Sequence, residues 1–285
     1  MTQRLTVRMV AIVAAAWAAH PYPLSAEDDG ASGFTFHGAL TQAYGRSDGE
    51  TVLGIPERGT SDYRTVSLQF GYALGSSDRI VIQLAHERIG ESPAMAFRHD
   101  VELDWAFYEH RFSDAFGVKA GRVQIPRGIF NEIRDIGTLL PFYRPPSAFY
   151  SESIGASEAV DGVVVSGHLR RNRPWSIDAD LYGGGWNSLQ SGRSGLERTR
   201  VENALGFHAW LQTPVKGLRV GGGAHRMTTR SEAAGVKTQT NAAQYNVAAE
   251  GVFGPVVLRA EHARLHDPGT VYRAYYGQMG APIWP

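Results

Sequence analysis

Residues 65–74 read TVSLQFGYAL, and this stretch decides the fold class. Its large apolar side chains fall on every second position, with polar or small side chains between them. Such an alternation over eight or more residues is typical of a β-strand with one apolar and one polar face. The same alternation recurs in segments 80–87, 101–108 and 175–182 and in most of the chain beyond residue 203. The sequence therefore predicts an all-β protein.

The predicted strands number about twelve, and short and long connections alternate between them. The predicted strands are 33–45, 63–74, 79–87, 100–112, 116–123, 159–169, 175–183, 203–213, 218–227, 241–252, 256–263 and 271–278. The short connections are 75–78, 113–116, 171–174, 213–217 and 253–255, and the long ones are 46–62, 88–99, 124–158, 183–202, 228–240 and 264–270.

The connections distinguish two fold classes that share the alternation. A soluble sandwich buries its apolar faces as a core, whereas a membrane barrel turns them toward lipid. Outer-membrane barrels have tight periplasmic turns and longer extracellular loops. Aromatic side chains also gather toward strand ends, as in interfacial girdles: Trp105, Phe112, Phe116, Trp175, Phe207, Trp210 and Phe253. We therefore predict a transmembrane antiparallel β-barrel of about twelve strands.

The N-terminal segment has the three parts of a secretory signal. Arg4 and Arg8 precede an apolar run at 10–19, and small residues allow cleavage after Ala18 or after Ala26. The apolar run is shorter than the roughly 20 residues that a membrane-spanning helix needs. We predict a signal peptide at 1–26, a barrel at 27–285, and a location in the outer membrane of a Gram-negative bacterium.

Composition excludes several other classes. The chain has 285 residues, 28 basic and 28 acidic side chains and no cysteine. Nucleic-acid binders normally carry a basic surplus, and disulfide or thiolate sites need cysteine. The Gly-rich runs at 183–186 and 221–223 are not followed by the Gly-Lys-Ser/Thr of a phosphate loop. We expect no cofactor and no metal, and we interpret His262 and His266 as histidines at the barrel rim.

The last segment, 272–285, is weak as a strand. It contains Gly and Pro and does not end on an alternating run with a terminal aromatic residue. Sheet closure is required in lipid, because an open edge leaves backbone groups without partners. This segment indicates either a barrel that closes poorly or a shortened copy of a longer chain, and we favour the second.

Residues 124–158 form the longest predicted connection. Loops longer than about 12–15 residues are usually functional or disordered. A barrel wall could cover the apolar side chains of this loop, so we expect it to fold inward; the alternative is a surface loop with solvated charges. The apolar side chains are Ile129, Phe130, Ile133, Ile136, Leu139, Leu140, Phe142 and Tyr143.

Part of the chain, about residues 100–165, resembles a known family. The features that carry the resemblance are Asp104 with Tyr108, the turn at Ser113-Asp114, Gly121-Arg122, Pro126 with Gly128, Asn131-Glu132, Arg134-Asp135, Pro141-Phe142, Arg144-Pro145-Pro146 and Asp161-Gly162-Val163. The segment is similar to Gram-negative outer-membrane porins of the superfamily that includes the phosphate-selective porins O and P. The resemblance implies a water-filled channel narrowed by an inward loop, and a homotrimer. Such porins usually have more strands and a longer chain.

The polar side chains of the loop and of the wall are the candidate functional residues. Mixed charges at a narrow point select solutes by charge and dipole. The predicted constriction residues are Arg127, Asn131, Glu132, Arg134, Asp135, Arg144 and Glu152. Alternation predicts a lumen-facing wall formed by Glu87, Glu102, Asp104, Tyr108, Lys119, Asp178, Asp180, Arg219, Glu250, Arg259 and Glu261, either as solute contacts or as cross-strand ion pairs.

Arg122 does not fit the alternation. It shares a face with Val118 and Ala120. We expect it either to sit at the barrel rim or to be redirected by a bulge at Gly121.

Charge composition favours a general or weakly selective pore. The chain has three lysines, and no dense basic ladder for phosphate is visible. The expected partners are outer-membrane lipid and small hydrophilic solutes or ions, and no nucleic acid. We expect no enzymatic activity, because neither a G-x-S-x-G elbow nor a His-Glu-x-x-His motif is present. The alternatives are a barrel enzyme of phospholipase or protease type, a non-conducting structural barrel, and a soluble secreted binding module.

Overall fold

The structure is a computed structural model that describes residues 33–98, 100–134, 136, 140, 142–150, 157–171, 175–192, 195–233 and 236–281. The predicted signal peptide at 1–26 lies outside these residues. No helix in these ranges has both the length and the apolar character needed to cross a membrane.

The described chain folds into one antiparallel sheet of twelve strands whose spatial order is the order of the sequence. The strands are β1 (Phe34–Gly45), β2 (Thr60–Ala73), β3 (Asp78–Ile89), β4 (Glu102–Ser113), β5 (Phe116–Gln124), β6 (Ala159–Arg171), β7 (Trp175–Gly192), β8 (Gly195–Gln212), β9 (Leu218–Ala233), β10 (Val236–Phe253), β11 (Val256–Asp267) and β12 (Thr270–Gly280). Short 3-10 segments at Pro93–Phe97 and Asn131–Ile133 and one short helix, α1 (Ser147–Tyr150), lie in the connections. The predicted all-β class and strand number are confirmed.

Three of the predicted long connections are wrong. Segments 183–202, 228–240 and 264–270 are mostly strand, because β7–β8, β9–β10 and β11–β12 continue as long hairpins. Polar side chains dominate these extensions in the sequence, so no apolar alternation marks them as strands, although Trp186 and Val201 are buried within them. We call this end of the sheet the loop end, and the opposite end, with the connections β2–β3 and β10–β11, the turn end.

The two faces of the sheet are the reverse of those in a soluble protein. Large apolar side chains such as Leu68, Phe207 and Val247 are exposed on one face, the outward face. Polar side chains such as Gln83 and Gln244 are buried on the other, the inward face. Exposed apolar area and buried polar groups are the informative departures from ordinary burial. The arrangement is that of a sheet whose apolar face meets lipid.

The sheet curves around the long connection between β5 and β6. That connection contacts Glu87 on β3 through Arg144 and Glu261 on β11 through Ile129. These two strands stand eight positions apart in the sheet order, so a flat sheet could not bring both to one loop. In the described part of the chain, the ladders join neighbours from β1 to β12 and include none between β1 and β12.

A β-bulge in β4 corrects part of the predicted wall. Leu103 pairs with Leu84, and Trp105 pairs with the adjacent Gln83, so Asp104 is an extra residue. A bulge reverses the alternation beyond it. Asp104 and Trp105 are therefore both buried, and Phe107 also turns inward.

Two predictions about side-chain direction are therefore wrong. Tyr108 was predicted to line the lumen, but it is exposed on the outward face opposite Ile80. Trp105 and Trp210 were predicted in an interfacial girdle, but both are buried on the inward side. The bulge does not explain Trp210. This residue lies on the inward parity of β8, opposite Gly221, in a regular part of the ladder.

Candidate functional site

The inward loop, residues 125–158, leaves and re-enters the sheet through a clamped base. The Ile125 backbone N–H donates to the Glu158 carbonyl at 2.8 Å. The Asn131 side-chain amide donates to the carbonyls of Ile125 and Glu158 at 2.8 and 3.0 Å. Asn131 is 1% exposed, so this predicted constriction residue shapes the loop instead of facing open lumen.

The far side of the loop is anchored to β11 and β12. The Glu261 carboxylate accepts from the Ile129 backbone N–H at 2.9 Å and from the Tyr150 hydroxyl at 2.5 Å. The Tyr276 hydroxyl also donates to it. Glu261 is 3% exposed. Burial, together with the nearby Glu261 charge, raises the pKa of Tyr150 well above its usual value, so the hydroxyl stays a donor.

Gly128 permits the close approach of the loop to Glu261 on β11. Gly128 has φ +62°, a conformation that side chains with Cβ rarely adopt. A Cβ at this position would collide with the Glu261 carboxylate and the Tyr150 hydroxyl. The Pro126-to-Gly128 step therefore allows the following backbone amides to reach the wall.

Aromatic packing adds to the anchor. Phe130 is completely buried, with its ring centre 6.0 Å from that of Tyr150 and 6.3 Å from that of Tyr276. Phe149 is equally buried beside Tyr150, with ring centres 4.6 Å apart. Full burial of one such side chain contributes about 1.5–3 kcal/mol. The expectation that apolar loop residues pack inward against the wall is confirmed for Ile129, Phe130, Ile133, Leu140 and Phe142, whereas Leu139 lies outside the described residues.

Arg127 is enclosed between the loop and the wall. Its guanidinium donates to the Gln244 side-chain oxygen at 3.4 Å and to the Phe149 carbonyl at 3.3 Å. It also lies 5.7 Å from the ring centres of Phe149 and Tyr150. Burial lowers the pKa of Arg127. With 3% exposure, this residue holds the loop and does not present its charge to an open path.

Arg144 and Arg134 of the loop join a network of ion pairs with β3, β4 and the adjoining connections, the upper network. Arg144 pairs with Glu87, which Arg98 also binds at 2.8 Å. Arg98 lies 3.7 Å from Glu102. Glu87 and Glu102 were predicted on the wall, whereas Arg98 was missed because it lies in a connection without periodicity.

A second part of the upper network closes the loop base. Arg134 binds Glu158 at 2.6 Å and donates to the Tyr150 carbonyl at 3.2 Å. Burial opposes ionisation of Glu158, but the charge of Arg134, followed by Arg98 and Arg144, holds its pKa below the usual value. Glu158 was not predicted, because it immediately precedes β6 and belongs to no pattern.

The remaining predicted loop residues divide in two. Glu132 has an exposed side chain, and its backbone carbonyl accepts from the Gln124 amide at 3.0 Å. Asp135 and Glu152 lie outside the described residues.

Toward the turn end, inward-facing charges form a second level, the lower ring. Arg79 binds Glu109 at 2.5 Å, and Lys119 lies opposite Glu109 in register. Glu250 binds Arg219 at 2.5 Å and Arg259 at 2.6 Å. The predicted wall residues in this ring are Lys119, Asp178, Asp180, Arg219, Glu250 and Arg259. Arg79 and Glu109 were missed, and Glu109 because the β4 bulge reverses its face.

The acidic members of the lower ring on β7 also have hydrogen-bond partners on β6. The Asp180 carboxylate accepts from the Ser166 hydroxyl at 2.6 Å. Asp178 lies 2.7 Å from the His168 ring nitrogen. Both aspartates share the inward parity of β7 with the buried Tyr182.

The outward parity of β5 settles the position of Arg122. It pairs in register with Ala106 and Asp161, and its guanidinium lies 3.2 Å from the Asp161 carboxylate. Its Nε donates to the Asp104 carbonyl at 2.7 Å. Gly121, with φ +130°, lets β5 approach the bulged β4 closely. Arg122 is thus an outward, ion-paired residue near the loop end.

No group of three or more His, Asp or Glu side chains with metal-binding geometry occurs among the described residues. His262 and His266, which the sequence analysis interprets as rim histidines, both lie on the outward parity of β11.

Comparisons with known proteins give limited information. No family model and no curated protein matches the chain. Among solved structures, a loop L8 deletion mutant of OmpT, an outer membrane protein of Vibrio cholerae, matches 89% of this chain and 95% of its own at 10% identity and a TM-score of 0.35. The outer membrane channel DcaP of Acinetobacter baumannii matches 85% of this chain and 79% of its own at 10% identity and a TM-score of 0.33. Scores this low carry no argument, so the fold rests on the strand pairing and burial.

Proposed function

We propose that this chain spans the outer membrane of a Gram-negative bacterium and forms a channel for passive diffusion of small hydrophilic solutes or ions. One observation carries the proposal: a loop anchored inside a curved sheet presents ion-paired charges along the inward face of that sheet. The anchor consists of Glu261 and the aromatic cluster, and the presented charges are Arg144 and Arg134. The exposed apolar outward face supports the membrane location.

The charge pattern favours weak selectivity. The lower ring contains Arg79, Lys119, Arg219 and Arg259 against Glu109, Asp178, Asp180 and Glu250. Equal numbers of both signs give a transverse field with little net charge. Fixed charges of this kind discriminate by dipole and local sign more than by total charge.

The resemblance of residues 100–165 to the porin superfamily adds to the proposal and implies a homotrimer. The phosphate-selective character of some members is not carried over, because the inward basic residues named above are matched by acids. The proposal includes no catalytic step.

Conductance in a planar bilayer tests the proposal. The protein, purified in detergent and added to one chamber, should produce discrete current steps, while a heat-denatured sample should produce none. Folded protein that needs detergent but gives no steps would contradict the channel.

A non-conducting structural barrel is the second candidate. The aromatic cluster between the loop and β8–β12 favours it, because Phe130, Phe149 and Trp210 fill space inside the sheet. The bilayer experiment separates the two candidates, since the structural barrel requires detergent but passes no current.

A further inference from the structure

Outward charges near the loop end are ion-paired on most of the sheet. The pairs join Arg64 and Arg88 to Asp62 at 3.0 and 2.6 Å, Arg122 to Asp161 at 3.2 Å, and Arg200 and Arg230 to Glu202 at 3.3 and 3.2 Å. Each of these arginines therefore has a carboxylate on the same face, which offsets its charge beside lipid.

Three outward arginines on β9, β11 and β12 depart from this pattern. Arg226, Arg264 and Arg273 lie on the outward parity, and none of them has an ion-pair partner among the described residues. Arg264 donates to the Tyr245 hydroxyl at 3.3 Å, and its Nε has no acceptor within the described ranges. Glu202, one register step from Arg226, is engaged by the two arginines named above. We call these three arginines the rim patch.

The rim patch is compact. Arg264 and Arg273 stand directly opposite each other across β11 and β12. Arg226 pairs with Ala243, which in turn pairs with His266 on β11. With strands about 4.8 Å apart, the patch spans three strand spacings, or about 14 Å, from β9 to β12. Like charges directly opposite in a sheet are destabilising, so an anion from outside the chain would stabilise this arrangement.

The patch lies at the edge of the apolar belt. On β11 the outward residues toward the turn end are Leu258, Ala260 and His262, and on β9 they are Val220, Gly222 and Ala224. Tyr275, 79% exposed, is the outward neighbour of Arg273 on β12. Small and apolar side chains below and cations above match a lipid, whose acyl chains lie below its headgroup. Guanidinium groups bind phosphate through paired hydrogen bonds.

We propose that the rim patch binds the phosphate of an anionic membrane lipid at the loop-end surface of the barrel. The proposal rests on the membrane location in the proposed function but not on conduction. A lipid is favoured over free phosphate because the patch faces the same side as the apolar belt and continues it.

Native mass spectrometry of the full chain in detergent tests the inference with defined lipids. The probes are phosphatidic acid, which carries a phosphate monoester, phosphatidylserine as an anion with a carboxylate, and neutral phosphatidylcholine. The triple variant Arg226→Gln, Arg264→Gln, Arg273→Gln should retain phosphatidic acid about a hundredfold more weakly than the parent, or about fivefold for each basic residue. The matched control, Arg122→Gln with Asp161→Asn, removes a neutral pair and should bind like the parent.

Other outcomes would overturn the proposal in distinct ways. Equal retention of phosphatidic acid and phosphatidylserine by the parent and the triple variant refutes a role for the patch, and equal retention of neutral phosphatidylcholine by the parent refutes recognition of an anionic lipid. Full displacement by millimolar inorganic phosphate would identify free phosphate as the ligand. A loss of oligomers in the triple variant without a change in lipid retention would assign the patch to a second copy of the chain.

Two checks keep the result interpretable. Circular dichroism establishes that each variant retains its β-structure. The variant Arg264→Lys, Arg273→Lys keeps both positive charges, so it should bind phosphatidic acid more tightly than the triple glutamine variant does. A parent chain that is monodisperse without detergent would refute the membrane location itself, an outcome distinct from failure of the rim patch.

Discussion

Glu261 is the residue whose substitution tests the anchored loop most directly. Its carboxylate accepts hydrogen bonds from the Ile129 amide and the Tyr150 and Tyr276 hydroxyls. In the variant Glu261→Gln, one oxygen remains an acceptor, but the amide nitrogen that replaces the other cannot accept a hydroxyl proton. The shape of the side chain is retained, so the change removes charge and acceptor capacity.

The magnitude follows from the bonds that are lost. A hydrogen bond to a charged group contributes about 1.5–3 kcal/mol. Loss of one such bond and weakening of the others should cost the anchor about 2–4 kcal/mol. Since each 1.4 kcal/mol is a factor of ten, detachment of the loop should become about 30- to 700-fold more frequent.

Hydrogen exchange, measured by mass spectrometry on peptides covering 125–134, reports how often the loop detaches and does not depend on conduction. The amides of Ile129 and Phe130, which donate to Glu261 and Tyr150 at 2.9 and 3.0 Å, should exchange faster by the same factor. The control is Glu109→Gln, which removes a carboxylate charge in the lower ring, where it binds Arg79. Unchanged exchange in Glu261→Gln, or equal acceleration in Glu109→Gln, would refute the anchor.

Four further predictions test the loop and the lipid-facing surface. Deletion of 129–143 should raise single-channel conductance, because it removes the segment inside the sheet; an unchanged conductance would mean that the loop does not narrow the channel. Arg144→Gln leaves a negative surplus beside Glu87, so the reversal potential in a salt gradient should shift toward cation selectivity, and a shift toward anions would contradict its placement. The pKa of Glu158 is lowered in the fold, so its ion pair should stabilise the loop base above about pH 4.5 and be lost as the pH falls through the folded pKa. Exchange of the loop amides should therefore rise below that pH in the parent but not in Glu158→Gln. Val247→Arg, on the exposed apolar face and paired in register with Gly222 of the apolar belt, should lower the free energy of unfolding in lipid by up to about 2–4 kcal/mol, measured by denaturant titration; no loss would argue against lipid at this position.

The alternation of side chains could be read without a structure because it is a local property of each strand. Residues 65–74 have one apolar and one polar face whatever their neighbours are, and the predicted strand 218–227 lies within β9. The same argument placed Glu87, Lys119 and Glu250 on the inward face.

Side-chain directions predicted from alternation were wrong where the pairing between two strands is irregular. Nothing in the composition around Asp104 distinguishes a bulge from a regular strand, because the extra residue is defined by its partner strand. The direction of Tyr108 was therefore wrong, and Glu109 was missed.

The sequence by itself determined twelve two-faced strands and a long apolar connection, because periodicity and turn residues act locally. Only the tertiary structure decided what that connection touches: Glu261 and Tyr276 lie more than 100 residues beyond Ile129 in the chain, yet bind the same segment of the loop. It also decided that Arg127 is enclosed. Among the described residues, Arg226, Arg264 and Arg273 have no carboxylate partner of the kind that Arg122 and Arg230 have. Such facts depend on which strands the curved sheet brings together, and a pattern along one strand carries no information about them.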